Sequence, residues 1–165
     1  MEINNLNIAI IGAGNLGRAM ALGLLDSGYP AAQLKLTRRN VDKIKDLEEK
    51  GCTVLTDNSE AVRGAELIIL SVKPYNVREI LSSLTSDIDP IKHVVVSVVT
   101  GVNMTELTAL IPKGTPFFRA MPNTAADVNE SITCICHSHA GPEQIDAVNS
   151  VFTTMGRTTF IQEEL

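Results

Sequence analysis

The most constraining feature of the chain is one uninterrupted stretch, Ile8-Ala9-Ile10-Ile11-Gly12-Ala13-Gly14-Asn15-Leu16-Gly17. Four apolar residues of strand character run directly into a glycine-rich turn. The turn opens a segment in which Leu16, Met20, Gly23 and Leu24 recur at helical spacing, ending near Gly28 and Pro30. A GxGxxG pattern alone arises by chance, but between a strand and a helix each glycine has a task. Gly12 permits the tight turn, Gly14 lets the backbone approach a pyrophosphate, and Gly17 lets the helix pack closely on the strand. The phosphates would rest on the free N–H groups and positive dipole end of the helix. A dinucleotide site is therefore expected over Gly12, Ala13, Gly14, Asn15, Leu16 and Gly17, against the alternative of a glycine-rich turn without a ligand.

The rest of the chain repeats this alternation. Apolar runs predict strands at Ile8–Ile11, Leu34–Thr37, Thr53–Leu55, Leu67–Val72, Val94–Val99 and Pro116–Arg119. Helical spacing returns between most of them, in Val41, Ile44 and Leu47, in Val77, Ile80, Leu81 and Leu84, and in Met104, Leu107 and Ile111. The runs are continuous in polarity, as in strands buried on both faces, and βαβ alternation forces parallel pairing. The expected fold is α/β: a doubly wound, Rossmann-type, mainly parallel sheet flanked by helices. After Pro122 the rhythm changes to a strand at Ser131–Cys136, a helix at Gln144–Phe152 and a strand at Thr158–Ile161, which would add one or two edge strands at the C-terminal end. The 165 residues suit one domain, 1–165, and contain no internal repeat, linker or low-complexity tract.

Composition narrows the function. With 14 Lys+Arg against 19 Asp+Glu the net charge is −5, and the longest basic cluster is Arg38-Arg39, so nucleic acid is not an expected partner. Apolar runs such as Val94–Val99 fall far short of the roughly 20 residues that span a bilayer, and the first residues lack the basic start of a secretory signal. Three cysteines without framework spacing suit free thiols in a reducing compartment, so a cytoplasmic location is expected. In Cys134-Ile135-Cys136-His137-Ser138-His139, an extended chain puts Cys134 and Cys136 on one face and His137 on the other, and the spacing is not that of structural zinc; no metal is expected. Nor is a hydrolytic nucleophile: there is no G-x-S-x-G, and His93, His137 and His139 have no evident partner.

The end of the second strand bears on which dinucleotide is bound. A domain selecting NAD usually carries an acid there for the ribose 2′-OH. Here the chain reads Leu36-Thr37-Arg38-Arg39-Asn40, with two guanidinium groups, a hydroxyl and no acid. Arg offers paired donors and a permanent charge to a phosphate, so NADP(H) is favoured over NAD(H), with Arg38 the stronger candidate; a solvated Arg pair is the bland alternative. Ser71-Val72-Lys73-Pro74 follows the fourth strand, where a loop beyond the carboxyl end of the sheet reaches the nicotinamide half of the cofactor. Pro74 biases Lys73 to an extended conformation. Lys73 is a candidate proton donor or partner for a substrate carboxylate, or a surface lysine at a helix start. Arg119-Ala120-Met121-Pro122-Asn123-Thr124 is read as the equivalent loop after the sixth strand, with Asn123 either near the nicotinamide or capping a helix.

Taken together these motifs resemble pyrroline-5-carboxylate reductase, which reduces a cyclic imino acid in proline biosynthesis. Gly12–Gly17 is similar to that family's dinucleotide fingerprint and Thr37 and Arg38 occupy its 2′-phosphate position. Asn58 stands where the family has an Asn beside the adenosine. Ser71-Val72-Lys73-Pro74 resembles its Ala-Val-Lys-Pro, Val96-Ser97-Val98-Val99-Thr100-Gly101-Val102 its Val-Ser-x-x-Ala-Gly-Val loop, and Met121-Pro122-Asn123-Thr124-Ala125-Ala126 its Met-Pro-Asn-Thr-Pro-Ala. The resemblance adds Asn58, Val98, Val99 and Thr100 to the expected cofactor contacts. Ser71, Thr100 and Ala125 depart from the pattern. The resemblance further implies hydride transfer from NADPH to the C=N bond of 1-pyrroline-5-carboxylate, and homo-oligomers of the full-length protein. It places the dimerisation and imino-acid-binding region in a second, helical domain absent from this chain, so this part alone is expected to be inactive. Two other readings remain: a β-hydroxyacid dehydrogenase or deazaflavin-dependent NADP reductase, and a free-standing NADP-binding module.

Overall fold

The computed structural model describes residues 2–164 and contains one eight-stranded sheet in the order β3-β2-β1-β4-β5-β6-β7-β8. The strands are β1 Ile8–Ile11, β2 Leu34–Thr37, β3 Thr53–Leu55, β4 Leu67–Leu70, β5 Val94–Ser97, β6 Phe117–Met121, β7 Ser131–Ser138 and β8 Gly156–Phe160. The first six pair in parallel, in the order of a dinucleotide-binding doubly wound sheet. β7 is antiparallel to β6, and β8 is parallel to β7, so the expected C-terminal strands do extend one edge.

β1 shows why the sheet is covered on both faces. Ile8 and Ile10 point into one apolar cluster with Met20 and Leu24 of α1 (Asn15–Asp26), Leu47 of α2 (Lys45–Glu49) and Phe152 of α6 (Pro142–Thr153). Ala9 and Ile11 point into the opposite cluster with Val62 of α3 (Asn58–Val62), Leu81 of α4 (Pro74–Leu84), Leu107 of α5 (Met104–Thr108) and Phe117. All four β1 side chains are fully buried. Each large apolar side chain removed from water in this way contributes about 1.5–3 kcal/mol.

The structure shifts several expected boundaries. β4 ends at Leu70 rather than Val72, because its neighbour β1 ends at Ile11 and turns away at Gly12. Ser71 and Val72 are thus released into a loop, and Val98 and Val99 leave the sheet in the same way after Ser97. β6 runs on to Met121, held by the antiparallel partner Cys134, so Arg119, Ala120 and Met121 belong to the strand and not to the loop after it. Ile111 lies beyond α5. No helix among the described residues is long and apolar enough to cross a membrane.

His93, at the amino end of β5, is buried, and its Nδ1 accepts the Asp89 N–H at 2.8 Å. Burial, reinforced by Lys92, lowers its pKa below the ordinary imidazole value, while Asp89 and Glu66 act in the opposite sense. The folded protein therefore binds this proton less readily than the unfolded chain does. Stability from His93 is complete above the unfolded value of about 6.5 and is lost as the pH falls through it. Thermal midpoints recorded from pH 7.5 down to 5 should fall in the wild type and fall less steeply in His93→Asn. Equal slopes would remove His93 as the cause.

Candidate dinucleotide site

The site is built where β1 and β2 end together. Gly12 has φ +86 and lies so close to the next crossover that a Cβ there would stand 2.6 Å from Val72 Cγ1 and 2.7 Å from the Ser71 carbonyl oxygen. Its N–H donates to Thr37 Oγ1 at 3.1 Å, and the Ala13 N–H donates to the Thr37 carbonyl at 2.7 Å. Arg38 Nη1 then donates to the Ala13 carbonyl at 3.0 Å. The carboxyl end of β2 thus grips the glycine turn by three hydrogen bonds. Gly17 packs α1 onto the strand: a Cβ there would meet the Gly12 carbonyl oxygen at 2.9 Å and Ile10 Cγ2 at 3.2 Å. Gly14 differs, since a Cβ would meet nothing within 4 Å. It caps α1, whose first turn carries no acid and whose first helical bond runs from the Arg18 N–H to the Gly14 carbonyl. The N–H groups of Asn15, Leu16 and Gly17 precede that bond at the positive end of a 12-residue helix.

A cleft of ≈680 Å³ opens over this turn. Of the expected contacts, Gly12, Gly14, Asn15, Leu16, Thr37, Arg38, Arg39, Asn58, Ser71, Val72, Lys73, Pro74, Val98, Val99 and Thr100 line it. Ala13 and Gly17 do not. Ala13 is buried and serves through its backbone, and Gly17 sits behind the turn as a packing glycine. Thr37 is almost wholly buried with its hydroxyl oxygen turned to Gly12, so it shapes the turn as well as facing the cleft. Lys73 takes the extended backbone expected before Pro74 and is the N-cap residue of α4. Asn123 is not among the lining residues: its side chain accepts the Ala125 N–H and caps the turn Thr124–Val128. Arg119 faces elsewhere, donating to Glu163 Oε1 at 3.2 Å.

Five further residues line the cleft, namely Asn40, Lys43, Thr56, Asn76 and Ile80. Thr56 follows β3, and the rule that ligands lie beyond strand carboxyl ends would have found it. Asn76 and Ile80 lie four apart, on one face of α4. Asn40 opens the turn Val41–Ile44 by accepting the Asp42 N–H at 3.2 Å, a local Asn pattern that marks a chain reversal and brings Lys43 to the cleft. The following α2 is tied to α1 by a fork from Arg18 to Asp46 at 2.6 and 2.5 Å, which also holds the Asp46 carboxyl below its ordinary pKa.

The lining is segregated by charge. It contains Arg38, Arg39, Lys43 and Lys73 and no acid, in a chain of 14 basic and 19 acidic residues. Pro74, Val72, Val98 and Val99 supply an apolar wall on the side of α4 and β5. Elsewhere, Cys134 and Cys136 share a face of β7, and His137 lies on the other, packed between the rings of Phe118 and Phe160 with centroids 5.5 and 6.2 Å away. Among the described residues no group of three or more His, Cys, Asp or Glu is arranged to hold a metal ion.

A mainly parallel sheet of this order, with a glycine turn and an acid-free cleft at the carboxyl ends of its parallel strands, defines a dinucleotide-binding domain of the Rossmann class. Over residues 7–101 the chain belongs to the family described as NADP oxidoreductase, coenzyme F420-dependent. The family is one of NADP enzymes, in agreement with the cofactor expected from the Arg-rich end of β2.

The relatives agree with the resemblance drawn from the motifs. The chain is 34% identical to pyrroline-5-carboxylate reductase 2 of Dictyostelium discoideum, across 98% of the chain and 59% of that protein. It is 31% identical to a pyrroline-5-carboxylate reductase of Mycobacterium tuberculosis, across 94% of the chain and 55% of that protein. The solved pyrroline-5-carboxylate reductase of Coxiella burnetii superposes with a TM-score of 0.93 at 27% identity, across 96% of this chain and 60% of that one. The chain therefore spans little more than half the length of the reductases it matches.

Proposed function

We propose that this chain binds NADPH and forms the cofactor half of a reductase acting on the C=N bond of 1-pyrroline-5-carboxylate. One observation carries the reading: the open Gly14 turn at the head of α1 and a wall of four cations without an acid share one cleft. The fit to a dinucleotide follows from the residues. The N–H groups of Asn15, Leu16 and Gly17 receive the pyrophosphate, Arg38 and Arg39 receive the 2′-phosphate, and Thr56 and Asn58 flank the adenosine. Val98, Val99 and Pro74 keep water from the nicotinamide side, with Lys73 at its edge. When bound, the cofactor supplies the hydride, and the chain supplies position and electrostatics. The imino acid, the residues that hold it and the homo-oligomer belong to the whole reductase, and the reading includes a cytoplasmic location, which the free thiols of Cys52, Cys134 and Cys136 suit.

The family description favours a second reading, a reductase that passes hydride between NADP and the deazaflavin coenzyme F420. The extent of similarity weighs against it. The family match ends at residue 101, before Met121-Pro122-Asn123-Thr124, whereas similarity to the reductases of 1-pyrroline-5-carboxylate runs across 94–98% of the chain.

Titration calorimetry with NADPH and NADH, beside a reductase assay, tests the proposal. NADPH should bind more tightly than NADH and turnover by the 165 residues alone should be negligible. Failure to bind NADPH, or robust turnover, would overturn it. Arg38→Ala removes both a phosphate donor and the tie to the Ala13 carbonyl, and should weaken NADPH by about tenfold more than it weakens NADH.

A further inference from the structure

The turn Val41–Ile44 is a 3₁₀ helix, in which side chains three apart eclipse. That spacing divides the segment. Ile44 is fully buried in the core, with Val41 partly covered beneath the same side, while Asn40 and Lys43 fall together on the side that lines the cleft. The root of Lys43 is therefore fixed, by the Asn40 cap before it, by Ile44 after it, and by the Arg18–Asp46 fork that holds α2 to α1. Its ammonium head is free: Lys43 is exposed and takes part in none of the ion pairs among the described residues. Arg38, by contrast, already donates one guanidinium N–H to the Ala13 carbonyl.

We propose that Lys43 is a specificity-determining cation that separates NADPH from NADH, by adding its ammonium to the guanidinium groups of Arg38 and Arg39 at the phosphate on the adenosine ribose. The inference rests on the dinucleotide reading above. A third positive charge without a carboxylate partner in the same cleft is an asset only to a ligand with an extra anionic group at that end. NADH presents a hydroxyl there and gains nothing from the ammonium. The contribution is electrostatic and partly solvent-exposed, so it should weaken as salt rises.

The experiment is calorimetry of the 165-residue chain and its Lys43→Gln and Lys43→Arg variants with NADPH and with NADH, at low and at high ionic strength. Lys43→Gln should weaken NADPH by about tenfold at low salt and leave NADH within about twofold, and Lys43→Arg should restore most of the loss. The salt dependence of NADPH binding should be shallower in Lys43→Gln. Thermal unfolding at the wild-type temperature establishes that the turn has not melted. Wild-type NADPH binding with an unchanged NADPH-to-NADH ratio in Lys43→Gln overturns the assignment of Lys43 alone. A wild-type chain that binds neither nucleotide overturns the dinucleotide reading and this inference with it.

Discussion

Gly14→Ala should fold with wild-type stability and bind NADPH about 100-fold more weakly. The two halves of that outcome have separate causes. Gly14 has φ −75, which any residue adopts, and its Cβ would meet no atom within 4 Å, so the folded chain loses nothing. On the dinucleotide reading proposed above, the same emptiness is the cradle. A methyl group there occupies space over the head of α1 that the pyrophosphate needs, and holds the phosphate oxygens off the N–H groups of Asn15 to Gly17. Losing two charge-assisted hydrogen bonds at about 1.5 kcal/mol each is a factor of about 100. Gly12→Ala is the contrasting case, because its Cβ collides with Val72 and the Ser71 carbonyl at a positive φ, and both stability and binding should fall. Calorimetry with thermal unfolding separates the two variants. If Gly14→Ala keeps NADPH affinity within about threefold of wild type, the cradle is misplaced.

How far these features can be read in the sequence depends on how local their cause is. β1, β2 and β3 match the expected ranges residue for residue, because short runs rich in apolar and β-branched residues, bounded by glycines and charged loops, leave little freedom. The fingerprint is equally local, and it supplies Gly12, Gly14, Asn15 and Leu16 to the cleft. What escapes is set by neighbours. The end of β4 depends on where β1 stops, the end of β5 on where β4 stops, and the length of β6 on the antiparallel β7. α3 is only five residues long, too short for a period to register, although Ala61 and Val62 are buried. Lys43 reaches the cleft because a cap at Asn40 reverses the chain, and a reading that stops at the Arg38-Arg39 pair misses it. His93 looks idle in sequence and is buried because β5 begins beneath a loop that satisfies its Nδ1.

Gly156 is the extreme of this kind, and its replacement should cost more stability than any other change considered. In sequence it sits between a helix ending near Phe152 and a strand expected at Thr158, and reads as an ordinary connector. In the structure it begins β8, two residues earlier than expected, and pairs directly with Ser131 of β7 at φ +135. A Cβ there would stand 2.1 Å from the Ser131 carbonyl oxygen and 2.6 Å from its nitrogen. Both are backbone atoms inside a ladder, so no rotamer can relieve the collision. The strand must shift or its pairing must break. Backbone strain of about 1–3 kcal/mol adds to an overpacking cost of similar size, giving about 2–6 kcal/mol, a large part of the stability of a domain this size. Urea unfolding of Gly156→Ala should show that loss, while exposed Arg157→Ala, one residue further on, should stay within about 0.5 kcal/mol of wild type. Gly156→Ala with a loss under about 1 kcal/mol would mean that β8 is not paired to β7 at this register.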